Sequence, residues 1–250
     1  MCVSGRRVSN TLARLRTVLS PGGYFGLQIA LGLLAFAATA WLFGGIAEDV
    51  VTGDPIVAFD QKVERWFHSH QTPWLNDFSS GTSHLFGGTG VTGAAILLLL
   101  HLMWRRDWRW VTTVICAVPG GMLLDGLLKV AFHRARPTLS SLTAVLNTYS
   151  FPSGHVMAAT LICGVAAAYF TAQLAAWHLR IFVGLAACFM IAVVAFSRVY
   201  LGVHFLSDVL AAVAAGLMWL SLSLVTVSTL WYRRARHRHS VIAETPRGRR

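Results

Sequence analysis

The chain has few charged residues for its length, and this shortage excludes most soluble folds. Charged side chains make up 12% of the 250 residues, and hydrophobic side chains make up 55%. A soluble domain of this size carries roughly a quarter charged residues. Long uncharged runs accompany the deficit, so the composition predicts a polytopic membrane protein rather than one large soluble core.

Cysteine is also scarce, and its distribution excludes two common stabilising frameworks. The four cysteines are Cys2, Cys116, Cys163 and Cys188. The last three lie inside apolar runs, without paired spacing and without a neighbouring histidine pattern. We therefore expect neither a disulfide framework nor a zinc site. No carboxylate cluster resembles a magnesium site either, so no cofactor is expected.

Positive charge is abundant, but its placement does not favour nucleic-acid binding. The net charge is +11 at pH 7. The basic residues do not form one amphipathic face and instead collect beside the apolar runs, where topology and anionic lipid headgroups explain them better. The expected partners are membrane lipids and a substrate within the membrane. Nothing in the sequence predicts an oligomeric state.

Six apolar runs predict an all-α bundle of six transmembrane helices, since each is close to the roughly 20 residues that cross a bilayer. The runs are 24–46, 85–103, 111–132, 154–171, 181–196 and 205–230. The first run follows several arginines and could be a cleaved signal, but its length favours a retained span. We divide the chain into a membrane domain over 1–232, with the catalytic part at 125–210, and a basic tail over 233–250. The tail is expected to extend the last helix and then become disordered.

Lys and Arg positions predict that both termini are cytoplasmic. The N-terminal segment, the second and fourth interhelical connections and the tail hold 15 of the 21 basic residues (4, 3, 1 and 7). By the positive-inside rule these segments face the cytoplasm. The connection over 47–84 is acidic and is expected outside. It could form a short amphipathic helix on the membrane surface, near Trp66, Phe67 and Trp74.

Three polar clusters interrupt the apolar chain, and this topology places all three at outward-facing helix ends. The first contains Lys129 and Arg136-Pro137, the second is Pro152-Ser153-Gly154-His155, and the third contains Ser197-Arg198, His204 and Asp208. Charged groups at the edge of a bilayer are costly to retain, so such a set is by default a functional site. Three cations, two histidines, a hydroxyl and a carboxylate are suited to binding phosphate.

Each cluster has its own chemical interpretation and its own structural alternative. Lys129 and Arg136 could bind one anion, or could simply extend to the headgroups. Ser153 could cap the fourth span, whose amide groups and dipole favour a phosphate beside His155. The i, i+4 spacing of His204 and Asp208 puts both on one helical face, so that the carboxylate could orient an imidazole nucleophile. Such a pair can equally be structural.

Together the clusters resemble the three-part signature of the type 2 phosphatidic acid phosphatases, with every signature position filled. The resemblance covers roughly 129–208. It implies a phosphohistidine on His204 oriented by Asp208, with His155 protonating the leaving oxygen and then activating water. It also implies phosphate binding by a further set of residues. These are Lys129, Arg136, Ser153, the Gly154 amide and Arg198.

The predicted function is therefore a metal-independent lipid phosphatase at the outer face of a bacterial inner membrane. Undecaprenyl diphosphate, phosphatidylglycerophosphate and phosphatidic acid are all suitable substrates. The alternatives are a phosphotransferase that passes the phosphoryl group to another lipid such as lipid A, and a non-catalytic lipid-binding or translocating protein. A vanadate-dependent haloperoxidase uses similar motifs, but six spans disfavour it.

Several nearby residues carry weaker expectations. Asp125 is expected to pair with Lys129 across one helical turn rather than to take part in catalysis. His133 and Arg134 are adjacent to the first cluster and could contact a second phosphate or a headgroup, but simple placement at the membrane interface is favoured. Three further histidines are expected at the outer surface without a metal-binding role. They are His68, His70 and His84.

Overall fold

A computed structural model describes residues 21–53, 55–140 and 148–244, which form eight α-helices and no strand. In chain order these are α1 (Pro21–Thr52), α2 (Pro55–Ser69), α3 (Pro73–Leu85), α4 (Gly88–Trp104), α5 (Trp108–Phe132), α6 (Gly154–Gln173), α7 (Trp177–Tyr200) and α8 (Leu206–Glu244). The expectations for the N-terminal arginines and for disorder at the end of the tail fall outside the described residues. The tail does extend the last helix, because α8 continues to Glu244.

The expected all-α membrane bundle is confirmed, with one modification at the second span. Five helices, namely α1 and α5 to α8, are long and apolar enough to cross a bilayer. The predicted second span corresponds to α4, which has only 17 residues. It follows α3 at a bend of 49°, and the two helices together supply the sixth candidate span.

The acidic connection forms two helices instead of the single one expected. α1 continues to Thr52, and α2 and α3 then pack against α7. Phe67 of α2 contacts the ring of Tyr200 edge-on at 5.9 Å. Trp66 and Trp74 remain exposed. The connection therefore covers one end of the bundle, and its two tryptophans face outward.

α6 forms the centre of the bundle. Most residues in its first turns have small or aliphatic side chains, and these side chains are buried. The Pro119-Gly120-Gly121 sequence in α5 lets neighbouring helices approach closely. A Cβ atom added at Gly121 would lie 2.3 Å from Cδ1 of Leu161, and one at Gly120 would lie 2.8 Å from Cζ2 of Trp219. α5 stays continuous through Pro119. Small residues thus bring α5 against α6 and α8, as in many membrane bundles.

We predict that Gly121→Ala lowers the thermal stability of the detergent-solubilised protein, since the added methyl must displace the fully buried Leu161 side chain. Overpacking of this kind costs about 1–3 kcal/mol. Gly126→Ala is the matched control on the same helix, because its Cβ would meet nothing within 4 Å. Thermal unfolding followed by tryptophan fluorescence measures both changes. An unchanged Tm for Gly121→Ala would contradict the proposed close packing.

Candidate active site

The polar clusters of the sequence meet at one end of the bundle around a single cavity. Lys129 lies in the last turn of α5, Gly154 and His155 begin α6, and Arg198 lies near the end of α7. The cavity has a volume of about 880 Å³. Its polar end is lined by six of the eight residues expected at the site, which are Lys129, Arg136, Gly154, His155, Arg198 and His204. Ser153 and Asp208 do not line it.

Lys129 is held in place by a neighbouring carboxylate, as expected. Its Nζ donates to both carboxylate oxygens of Asp125 at 2.5 Å and to the carbonyl oxygen of Pro152 at 2.8 Å. A Cβ atom at Gly154 would lie 2.9 Å from Oδ2 of Asp125 and 3.2 Å from Nζ of Lys129. The absence of a side chain at Gly154 therefore lets the lysine ammonium reach the first turn of α6.

Arg136 is fixed by backbone carbonyls of the segment between α5 and α6 and of the turn before α8. Its Nε and Nη2 donate to the carbonyl and hydroxyl oxygens of Thr148, both at 2.8 Å. Its Nη1 donates to the carbonyl of Val203 at 2.9 Å and lies 3.3 Å from Nε2 of His204. The guanidinium thus sits beside the imidazole nitrogen that faces away from Asp208.

His204 approaches Asp208, but not by the helical spacing that the sequence suggested. α8 begins only at Leu206, so His204 lies in the preceding turn. Its Nδ1 is 3.6 Å from Oδ2 of Asp208, which is an ion-pair distance rather than a hydrogen bond. The Ser150 hydroxyl donates to the same carboxylate oxygen and lies 3.4 Å from Nδ1 of His204.

The Asp208 carboxylate also supports the start of its own helix. Its Oδ2 accepts the backbone N–H of Phe205 at 2.9 Å. A carboxylate at the third helical position that binds the N–H of the N-cap residue is one half of a capping box. The carboxylate beside His204 therefore also stabilises the start of the helix from which it projects.

Ser153 and Arg198 carry buried polar atoms that have no hydrogen-bond partner within the described part of the chain. These atoms are the Ser153 hydroxyl oxygen and Nη2 of Arg198. The expectation that Ser153 caps α6 through its side chain is wrong, because it occupies the N-cap position without a side-chain cap bond. An unsatisfied buried donor costs about 1–3 kcal/mol. Arg198 lines the cavity, so an anion there would satisfy it.

His155 faces the connection between α3 and α4. Its Nε2 would lie 3.6 Å from a Cβ atom on Gly87. His84, near the end of α3, is exposed as expected and also lines the mouth of the cavity with Ser80 and Ser83. The polar rim of the site therefore includes one face of α3, which the sequence did not indicate.

Beyond its polar end the cavity is apolar. It continues between α4 and α5 along aliphatic side chains that include Val91, Leu99, Val118 and Met122. Ile96 and Ile115 line it as well, and about half of each of these side chains is exposed at the bundle surface. The polar pocket and the apolar groove thus form one continuous cavity.

Three residues beside the site were missed or misjudged from the sequence. Arg134 was expected to lie at the membrane interface or to contact a second phosphate or a headgroup, but it turns into the protein and donates to Asp208 and Asp60 at 2.5 and 2.8 Å. Asp60 and Ser150, which were not singled out, are both buried beside this group. Asp60 is an acidic residue in an amphipathic helix, so the sequence gives no indication that it is buried. His133, which is beside Arg134, is exposed.

Three cations and two histidines around one cavity, in a bundle of membrane-length helices, define a membrane protein with a site suited to an anion such as phosphate. Residues 110–233 match the PAP2 superfamily. Phosphatidylglycerophosphatase B of Bacillus subtilis is 29% identical over 181 residues, which cover 71% of this chain and 88% of that protein. The chain belongs to the PAP2 superfamily and is a membrane phosphatase.

Two further similarities are more distant. A crystal structure of a transmembrane PAP2 type phosphatidylglycerolphosphate phosphatase from Bacillus subtilis has a TM-score of 0.68 at 24% identity, over 86% of this chain and 98% of that chain. Lipid phosphate phosphatase delta of Arabidopsis thaliana is 26% identical over 188 residues, and the match spans 42% of its length. The structural likeness shows the fold.

We predict that His204 is neutral throughout the physiological pH range. Burial lowers the pKa of His204 from 6.5 to about 4, Asp208 opposes this change, and Arg136 and Lys129 add to it. The ring should therefore gain a proton only as the pH falls through that lowered pKa. Titration of ¹⁵N-labelled histidines by NMR, with His204→Gln to assign the signal, measures the midpoint. A midpoint near 6.5 would contradict the described environment.

Proposed function

We propose that the protein hydrolyses the terminal phosphate of a lipid phosphate or diphosphate through a phosphohistidine on His204. The observation that carries this proposal is the position of Nε2 of His204. This atom lies 3.3 Å from the Arg136 guanidinium, while Nδ1 is directed to Ser150 and Asp208. One nitrogen is thus available to a phosphate, and the other faces a carboxylate.

In the first step the Nε2 lone pair attacks phosphorus, an N–P bond forms and the bond to the lipid oxygen breaks. His155 donates a proton to that oxygen, and the lipid leaves as an alcohol or as a monophosphate. Asp208 stabilises the positive charge that develops on the His204 ring. Phosphoryl transfer depends mainly on positioning and on neutralisation of the equatorial oxygens, which Lys129, Arg136 and Arg198 supply.

In the second step His155, now neutral, takes a proton from water, and the resulting oxygen attacks phosphorus. The N–P bond breaks, inorganic phosphate leaves and His204 returns to its neutral form. The same proposal makes the Gly154 amide and the Ser153 hydroxyl additional hydrogen-bond donors to the phosphate. Gly154 lines the cavity, whereas Ser153 is buried and would reach the phosphate only after a small shift. The unpartnered Ser153 hydroxyl supports the second of these roles.

A lipid substrate is supported by the apolar part of the cavity. The groove between α4 and α5 continues from the phosphate pocket to exposed Ile96 and Ile115. A chain in this groove would remain in contact with the bilayer while its headgroup reached Arg136. The relative named phosphatidylglycerophosphatase B makes phosphatidylglycerophosphate one candidate. Undecaprenyl diphosphate and phosphatidic acid are the others.

Location of the site on the outer face of a bacterial inner membrane is supported by charge placement. Arg105, Arg106 and Arg109 lie where α4 connects to α5, at the end of α5 opposite Lys129. Basic residues at helix ends favour the cytoplasmic side. The pocket would then open outward, with α2 and α3 above it.

We predict that the purified protein releases phosphate from at least one of these lipids in the presence of EDTA, since the cations of the pocket would replace a metal. Among the described residues no group of three His, Cys, Asp or Glu side chains could hold a metal ion. His204→Ala should lose roughly a thousandfold or more in rate. Phosphate assays on a lipid panel, with acid-labile ³²P labelling of the protein, measure both effects.

The matched control is His70→Ala, an exposed histidine of the α2–α3 connection, which should keep wild-type activity. Activity that requires added magnesium, or that persists in His204→Ala, would contradict the mechanism. Transfer of ³²P to a second lipid instead of water would identify a phosphotransferase.

Sealed right-side-out vesicles should release phosphate to the external medium, and release only from inverted vesicles would contradict the proposed side.

A further inference from the structure

Two buried carboxylates and a partly buried arginine form a chain of charged groups behind His204. Arg134 bridges two carboxylates, with Nη1 2.5 Å from Oδ1 of Asp208 and Nη2 2.8 Å from Oδ2 of Asp60. Asp60 is 1% exposed and Asp208 is fully buried. None of the three lines the cavity, so none is positioned to contact a substrate directly.

Asp60 belongs to α2, far in sequence from every cluster that handles phosphate. It nevertheless contacts the start of α8, because its Oδ1 accepts the backbone N–H of Ser207 at 2.9 Å and its Oδ2 accepts the Ser207 hydroxyl. Ser207 also accepts a hydrogen bond from Arg134 at 2.7 Å. Asp60 therefore has two sets of contacts, one structural with Ser207 and one electrostatic with Arg134.

The charge of this group explains why a second carboxylate is needed. Arg134 with Asp208 alone would be a neutral pair, and the arginine would draw the carboxylate charge away from His204. Two carboxylates and one guanidinium leave a net charge of −1 in a buried environment, where electrostatic interactions are strong. Oδ2 of Asp208, which faces Ser150 and His204, can then stabilise positive charge on the ring.

We propose that Asp60 is a positioning residue that balances the charge of Arg134 and thereby keeps Asp208 available to His204. This inference rests on the proposed function, in which the His204 ring becomes positively charged during attack. Through Arg134 and Asp208, the α2 helix would then influence the reaction without contacting the substrate. A purely structural alternative would have Asp60 act only by holding Ser207 and the start of α8.

Asp60→Asn tests the proposal, because the amide keeps the shape and an acceptor for the Ser207 N–H but removes the charge. The amide NH2 replaces Oδ2, so at that position the Ser207 hydroxyl can only accept a hydrogen bond. Outer partners of metal ligands contribute about 10–100-fold to affinity or activity, and Asp60 holds a comparable position behind His204. We expect a loss of kcat in this range. The apparent KM and the inhibition constant of inorganic phosphate should stay within about threefold, since the cations of the pocket are untouched. Asp77→Asn, the same change at an exposed position of α3, is the matched control.

A double-mutant cycle separates charge balance from structural support. In an Arg134→Gln background there is no cation to balance, so adding Asp60→Asn should lower kcat by less than about threefold. A structural role would give the same loss in both backgrounds. Each variant is assayed as monodisperse protein with its Tm recorded. If Asp60→Asn alone does not fold, the comparison of Arg134→Gln with the double variant still decides.

Three results would overturn the inference. The first is wild-type kcat in Asp60→Asn, and the second is a double variant tenfold or more below Arg134→Gln. The third is a loss in Asp60→Asn that appears only as a raised inhibition constant for phosphate. Each leaves the proposed function intact as long as the wild-type protein releases phosphate. A wild-type protein that hydrolyses no lipid phosphate would overturn the proposed function and this inference together.

Discussion

Burial of the Asp208 carboxylate is the constraint on which the rest of the site depends. An isolated buried carboxylate is strongly disfavoured, so its oxygens must be fully paired. Here they accept from Arg134, Ser150 and the Phe205 amide. These partners come from the segment between α5 and α6 and from the turn before α8. Satisfying one carboxylate therefore assembles the two segments that also carry Arg136 and His204.

The same arrangement leaves other polar groups unsatisfied on the opposite side of His204. Arg136 donates to carbonyl oxygens, and among the described residues Lys129 has one anionic partner, Asp125. Nη2 of Arg198 has no partner in the described chain. The polar end of the cavity therefore has three cations and one carboxylate, Asp125, whereas the group behind the histidine has a net charge of −1. This separation is what a phosphate-binding pocket requires, because the substrate supplies the missing negative charge.

Much of this organisation could be predicted from the sequence, since it depends on local patterns. Hydrophobic length predicted the spans, and the clustering of Lys129, Arg136 and Arg198 at helix ends predicted a shared pocket. The prediction that His204 and Asp208 lie on one helical face was wrong. His204 lies in the turn before α8, and Asp208 caps the start of that helix. The role of Arg134 could not be predicted, since its partner Asp60 lies 74 residues earlier and buried pairing has no local signal.

The second span shows a further limit of the sequence. Its hydrophobic run was predicted correctly, but the bend between α3 and α4 depends on close backbone packing at Gly87 and Gly90. A Cβ atom added at either glycine would meet carbonyl oxygens of α3, and a hydropathy pattern does not encode this packing. This bend brings the Ser80, Ser83 and His84 face to the cavity mouth. A polar rim thus arises from a helix that the sequence suggested was part of a surface segment.

The central claim is that His204 and three cations surround one tetrahedral phosphorus. A structure of the protein with orthovanadate, a phosphate analogue that forms five-coordinate complexes, tests it most directly. The account predicts vanadium bonded to Nε2 of His204, with its equatorial oxygens contacting Lys129, Arg136 and Arg198 and an axial oxygen facing His155. Vanadate bound elsewhere, or bound in this cavity without contact to His204, would contradict it.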